Sequence, residues 1–391
     1  MLMKNDFDTA YDRSGTNSLK YKKHPRYPDE KLIPLWVADM DFKAASEIID
    51  ALNKTTEHGN FGYTLPDSDY YNSVINWNKK RFGFDIREEL ITPCEGVMSG
   101  IAAAIRALTS KGDAVLIFQP VYYPFANVIS NNNRRLVVSE LQFDGEKYVI
   151  DYDDFENKIK QNDVKILLFC SPHNPVGRVW NRAELEIVAE ICLKHNVLII
   201  SDEIHSDLVY KKHIPTASLS DEIASITVEL TSITKTFNLA GVQGANLIVP
   251  NEKIRAAVEN ELRAQCAGGP NIMSFAATKA AYQFGDKWLD DLLIYLQGNI
   301  DYVIHSFEGT SIKPLLPQGT YLMWLDCREF GLNDRELEEL FIKKCGVWMN
   351  SGYIFGKGGS GFMRMNIACP REILKKAIAQ IKEALQGLNN D

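Results

Sequence analysis

The chain has 391 residues, 45% of them hydrophobic and 24% charged, with a formal net charge of −8. That length exceeds one ordinary core, so two domains are expected, and the acidic balance excludes a nucleic-acid partner, whose phosphates would demand a basic face. No apolar stretch reaches the roughly 18 residues of a membrane span; the seven cysteines lack CxxC spacing and read as buried thiols of a reducing cytoplasm, not metal ligands.

In chain order, the first 45 or so residues are polar and aromatic, carry Pro25, Pro28 and Pro34, and read as an extended arm. Glu95-Gly-Val-Met-Ser-Gly-Ile101 then enters a small-residue helix over 100–108. The backbone amides of Val97 and Met98 at its start suit an anion, with a plain helix cap as the alternative. Residues 114–119 form a buried strand closed by Pro120. Lys165-Ile-Leu-Leu-Phe-Cys-Ser-Pro-His-Asn-Pro-Val-Gly177 and Asn196-Val-Leu-Ile-Ile-Ser-Asp-Glu-Ile-His205 are apolar runs ending in polar residues. Such runs mark strands buried on both faces of a parallel sheet. Between them, Asn181 and Glu184 make a capping box for a helix through His195.

The apolar run 223–230 leads into Thr231-Ser-Ile-Thr-Lys-Thr-Phe-Asn238, and 245–249 is the next strand. Helical patterns occupy 252 to about 307. Beyond them, 319–326 alternates like a strand, Asn333 caps a helix through Lys344, 356–361 is a glycine-rich flexible loop, 361–368 is a strand, and a helix follows Pro370. Alternating helices and apolar strands predict an α/β chain with a mostly parallel sheet. The expected division is an arm over 1–48, a large domain over 49–289 and a smaller α/β domain over 290–391.

Lys235 is the position on which function turns. Apolar and small residues hem it in, with hydroxyls at Ser232 and Thr234. Such an amine suits covalent bonding to a carbonyl better than life as a solvated charge. Ligands of open α/β sheets sit at the carboxyl ends of the strands, which puts Asn174, Asp202 and Lys235 on one rim. An amide, an acid and an amine are what pyridoxal phosphate asks of a protein.

With these segments in this order, the chain resembles the fold-type I pyridoxal-phosphate enzymes, which include aminotransferases and cystathionine β-lyases, from about residue 35 to 370. The resemblance implies that Lys235 bonds the cofactor, Asp202 pairs with its ring nitrogen, Asn174 binds its ring oxygen, and Ser232 binds its phosphate. Tyr122, in Pro120-Val-Tyr-Tyr-Pro124, matches the residue stacked on the ring, with Tyr123 as competitor. The tyrosine of Phe61-Gly-Tyr-Thr64, Tyr63, matches the residue that reaches the phosphate of the neighbouring subunit in a homodimer; otherwise it packs locally. Arg364, the one charge in Phe362-Met-Arg-Met-Asn-Ile367, matches the binder of the substrate carboxylate, with a structural salt bridge as alternative. Trp36-Val-Ala-Asp-Met-Asp-Phe42 resembles the arm that closes over substrate in C–S lyases, where Asp39 either takes part or merely pairs.

Aminotransferases of this fold carry an arginine about eight residues after the lysine. Gln243 stands there instead. Together with Ser-Asp-Glu-Ile-His and Trp-Val-Ala-Asp-Met-Asp-Phe, this resembles the bacterial cystathionine β-lyases. The implied activity is C–S β-elimination on cystathionine or related cysteine conjugates. An aminotransferase and a regulator on the same scaffold are the alternatives.

Overall fold

The computed structural model describes residues 5–266 and 269–388. The buried runs became the central strands, as their two-faced burial requires. In chain order they are β1 (Ile91–Cys94), β2 (Ala114–Gln119), β3 (Arg135–Glu140), β4 (Val164–Cys170), β5 (Leu198–Asp202), β6 (Thr227–Thr231) and β7 (Ala245–Ile248). They form one sheet in the order β1-β7-β6-β5-β4-β2-β3. β7 runs antiparallel to both neighbours, whereas the pairs from β6 to β3 are parallel. A mostly parallel sheet with covering helices was the expectation, and it holds.

Close packing of helix on sheet explains two glycines. α1 (Val97–Leu108) lies against β6, and a Cβ at Gly100 would come within 2.7 Å of Leu230 Cδ2. At Gly244 φ is +99° and a Cβ would lie 1.9 Å from Ser274 Oγ, so only glycine fits that turn. α2 (Arg182–Lys194) opens with the expected capping box, both reciprocal bonds being present.

Several expectations need correction. The run 223–230 is not all strand: Ser220 caps a short helix, Asp221–Ala224, and β6 starts only at Thr227. The helical stretch divides into α3 (Glu252–Ala264), α4 (Ile272–Phe284) and α5 (Asp286–Phe307). The expected domain boundary after residue 289 therefore falls inside an unbroken helix. Residues 319–326 were read as alternating, yet β8 (Leu322–Asp326) buries its first four residues, because both faces are covered. β8 pairs antiparallel with β9 (Phe362–Asn366) in a four-stranded sheet completed by Lys313–Pro314 and Asn350–Ser351. The helix after Asn333 ends in a π-turn over Leu340–Lys344. The glycine-rich loop is folded into 3-10 turns, with Gly359 buried. Cys266 is exposed while the other six cysteines are buried.

The arm is more than extended. It makes 3-10 turns at Ser14–Thr16 and Leu19–Tyr21, then pairs Ile33–Pro34 in parallel with Val347–Trp348. Its fully buried Lys20 amine lies 2.6 Å from Asp41, and Arg13 bridges Asp39 and Asp41 at 2.8 Å each. A charge buried in this way persists only when paired. Asn238, just past Lys235, clasps the same segment by accepting from Met40 N–H (2.9 Å) and donating to the Met40 and Phe42 carbonyls (3.0 and 2.8 Å). Among the described residues no helix is long and apolar enough to cross a membrane.

Candidate active site

Strand register builds the site. Cys170 lies opposite Asp202, and Asp202 opposite Leu230, so β4, β5 and β6 end level with one another. Asn174, Asp202 and Lys235 leave the sheet along that edge and line one cavity of about 460 Å³. Trp36, Val97, Met98, Tyr122 and Arg364 line it too.

Lys235 sits in a four-residue helical turn, Ile233–Thr236, capped by Ser232. The turn buries Thr234 and Thr236 and presents the lysine to the cavity. Its amine donates to the Ala38 carbonyl at 2.6 Å. Burial, reinforced by the nearby Arg364 charge, lowers the Lys235 pKa to about 8. Asp202 has one oxygen held by the Ile204 N–H at 3.1 Å. Burial pushes its pKa up to about 7, so it would gain from a cationic partner in the cavity.

Arg364 is buried and pairs with no carboxylate among the described residues. It donates to Asn174 Oδ1 (3.0 Å), Asn350 Oδ1 (2.6 Å) and the Trp36 carbonyl (2.9 Å), while Nε has no partner. Burial brings its pKa down to about 10. The structural salt bridge is therefore the wrong alternative. An orphaned buried guanidinium nitrogen facing neutral partners invites an anion.

At the other side, α1 begins at Val97 with no side-chain cap, behind Gly96. Its first amides lack intrahelical acceptors and carry the positive end of the helix dipole. The cavity thus combines an anion-receiving helix terminus, a buried carboxylate, a neutralisable amine and an unpaired guanidinium. That donor set fits pyridoxal phosphate and an amino acid together.

Three expected residues stand elsewhere. Ser232 is not among the cavity-lining residues: its hydroxyl lies 2.7 Å from the Gly244 carbonyl and 2.8 Å from Thr234 Oγ1, and its oxygen caps the Thr234 N–H. Thr234, whose hydroxyl is hydrogen-bonded to Ser232, is a cavity-lining residue. Asp39 pairs with Arg13 and Lys20 and stays out of the cavity, as its alternative reading had it. Tyr63 is 112% exposed and touches nothing of this site. Tyr122 and Tyr123 both line the cavity; Tyr122 is the more enclosed, and burial raises its pKa to about 12.

The sequence reading passed over His205, Asn350 and Leu19, all cavity residues. His205 is held neutral by burial and by Lys235 and Arg364, its pKa falling to about 3. It followed Asp202 in a motif already singled out; Asn350 and Leu19 gave no such signal.

A family model, aminotransferase class I and II, matches residues 30–381. The chain belongs to that family. Within it, a Bacillus subtilis protein named cystathionine β-lyase PatB is 39% identical over 97% of this chain and all of its own length. The fold matches cystalysin from Treponema denticola, a structure with pyridoxal 5'-phosphate, at a TM-score of 0.95 and 36% identity, covering 99% and 100% of the two chains. A PLP-bound C–S lyase from Staphylococcus hominis matches at 0.90 and 33%, covering 97% and 98%. The fold is therefore the fold-type I arrangement expected for this aminotransferase family.

Proposed function

We infer that this chain is a pyridoxal-phosphate-dependent C–S β-lyase acting on L-cystathionine or related L-cysteine conjugates. The observation that carries this is its end-to-end likeness to a protein named cystathionine β-lyase. Pyridoxal phosphate, when bound, supplies a carbonyl for an amine and a ring that takes up the electrons left by a departing Cα proton.

The chain's own residues do the rest. Lys235 would bond the cofactor, and its amine is the base placed to take the proton from the substrate Cα. A pKa of about 8 leaves roughly a tenth of such amines neutral at pH 7, against about one in three thousand for an ordinary lysine. Asp202 would keep the ring nitrogen protonated, and Asn174, with Tyr122 in the same cavity, would bind the ring oxygen. The amides of Val97 and Met98, with the Ser232 and Thr234 hydroxyls beside them, would hold the phosphate, which Gln243 leaves one charge short of the arginine-bearing pattern. Arg364 grips the substrate carboxylate beneath Trp36. Elimination then breaks Cα–H and Cβ–S; the thiolate leaves, takes a proton, and the enamine fragment adds water to give pyruvate and ammonia.

Arg364→Lys should raise KM for the amino acid by roughly tenfold or more while cofactor content stays unchanged, because a point charge replaces a fork. Steady-state kinetics with cofactor absorbance checks this. An unchanged KM would remove Arg364 from carboxylate binding.

The same reading makes the protein a cytoplasmic homodimer in which Tyr63 serves its neighbour's phosphate. Its full exposure within one subunit supports this, as does the exposure of Phe61 and Leu65 beside it. Tyr63→Phe should weaken cofactor binding roughly ten- to a hundredfold, the loss of one charge-assisted hydrogen bond. Mixed with inactive Lys235→Ala, it should form hybrid dimers with one unimpaired site, so activity at limiting cofactor should rise above either variant alone. Confirmed subunit exchange without that rise would confine the tyrosine to its own subunit.

The deciding assay is thiol and pyruvate release from cystathionine with no keto acid added. A lyase gives both. Strict dependence on a keto acid, without thiol, would make the protein an aminotransferase.

A further inference from the structure

β5 and β6 end level, and the loops that leave them carry the acid and the amine of the site. The strand ladder stops at Asp202 opposite Leu230. The last backbone bond across the pair runs from the Glu203 N–H to the Leu230 carbonyl at 2.9 Å. Beyond it, the loop 204–210 and the segment 232–238 are joined by one hydrogen bond among the described residues: the Thr236 hydroxyl donates to Asp207 Oδ2 at 3.0 Å. Thr236 is the neighbour of Lys235 in its helical turn.

Asp207 is gripped from the far side as well. Its other oxygen, Oδ1, accepts from Trp77 Nε1 at 3.0 Å, and Arg81 Nε lies 3.8 Å away. Both come from the helix Ser68–Phe82. The Trp77 ring stacks on Tyr282 at 4.9 Å and meets Phe237, the residue after Thr236, edge-on at 5.8 Å. Asp207, Trp77 and Thr236 are all buried within one subunit. Burial pushes the Asp207 carboxyl up, while the Arg81 charge, the two donors and His213 pull the other way. A buried carboxylate is a costly way to join two loops. Its advantage over an amide is that both oxygens accept, so it holds the turn and the helix at once.

We propose that Asp207 is a positioning residue: through Thr236 it fixes the Lys235 turn against the loop that carries Asp202, and so sets the spacing of the acid and the amine that hold one cofactor between them. The proposal rests on Lys235 as the base beside a bound cofactor and is indifferent to the reaction that follows. A turn of four residues has little helical stability of its own. A base displaced by about an ångström can lose on the order of a hundredfold in rate.

Exchange of the Cα proton of L-alanine for deuterium reads that base directly, because alanine has no leaving group. In the holoenzyme, Thr236→Val should slow exchange by roughly ten- to a hundredfold, and Asp207→Asn by a similar factor. Thr236→Ser, which keeps the hydroxyl, should exchange close to the wild-type rate. The double variant should be no slower than the slower single one, as expected of two residues that share one bond. The alanine concentration for half-maximal exchange should stay unchanged, since Arg364 is untouched. Circular dichroism of the bound cofactor's visible band needs no substrate. It should lose amplitude in Thr236→Val and recover it in Thr236→Ser, and it decides by itself if alanine proves unreactive. A wild-type rate and band in Thr236→Val would make Asp207 a piece of the core and overturn the proposal, as would additive losses in the double variant. Should Asp207→Asn fail to fold, Thr236→Val and its serine counterpart settle the matter alone. Alanine exchange without thiol release from cystathionine would sink the lyase reading and leave the positioning role standing.

Discussion

Lys235→Ala should cut pyruvate release by roughly 10³-fold or more, because one side chain both bonds the cofactor and moves the Cα proton. No other lysine lines the cavity among the described residues, so nothing nearby can stand in. Borohydride reduction followed by peptide mass analysis gives a check that does not depend on turnover. Wild-type protein should carry the reduced cofactor on the peptide containing Lys235, and the variant should carry none. Trapping on another lysine, with turnover retained, would show that the amine has been misplaced. The variant also loses the hydrogen bond from Nζ to the Ala38 carbonyl, so the arm should become more susceptible to proteolysis near residue 38. That last effect should be small, since Tyr321 and Asn366 hold the same segment through the Ala38, Val37 and Asp39 carbonyls.

These arm contacts explain what the sequence could and could not reveal. The sheet was legible because a strand buried on both faces has its own pattern, and its carboxyl end marks where ligands lie. Asn174, Asp202 and Lys235 followed from that together with their order and spacing, which carry the likeness to fold-type I enzymes, and the register of β4, β5 and β6 brings them together. The arm's role in the cavity was legible only at Trp36. Lys235 meets Ala38 and Arg364 meets Trp36 through backbone carbonyls, across separations of 197 and 328 residues, and a carbonyl has no residue type to read. Ser232 and Thr234 carry hydroxyls two positions apart, and the helical turn makes Ser232 its cap while Thr234 lines the cavity, a distinction that spacing alone does not contain. The alternation expected over 319–326 failed because the four-stranded sheet is covered on both sides, a fact of packing that periodicity within one strand does not contain.

Asp202→Asn should lower turnover on the order of 10²–10⁴-fold, and it should do something a merely structural residue would not. Without cofactor, burial holds the Asp202 carboxyl at about 7, well above the roughly 3.9 of an unfolded aspartate. The native state therefore binds this proton more tightly than the unfolded state. Stability from this group is fully present below about pH 4 and is lost as pH rises through about 7. At pH 8 the ionised, buried carboxylate costs the apoprotein on the order of a few kcal/mol. Asparagine has no such charge. Thermal unfolding of the apoproteins should show the variant more stable than wild type at pH 8, with the difference shrinking toward pH 5. Cofactor should reverse the order, because a cationic ring nitrogen stabilises the aspartate and leaves asparagine unrewarded. Near-normal turnover, or an apoprotein no more stable than wild type at pH 8, would remove Asp202 from its assigned role. The crossing of the two stability curves on adding cofactor is the signature of a residue kept for its ligand at a cost to the fold.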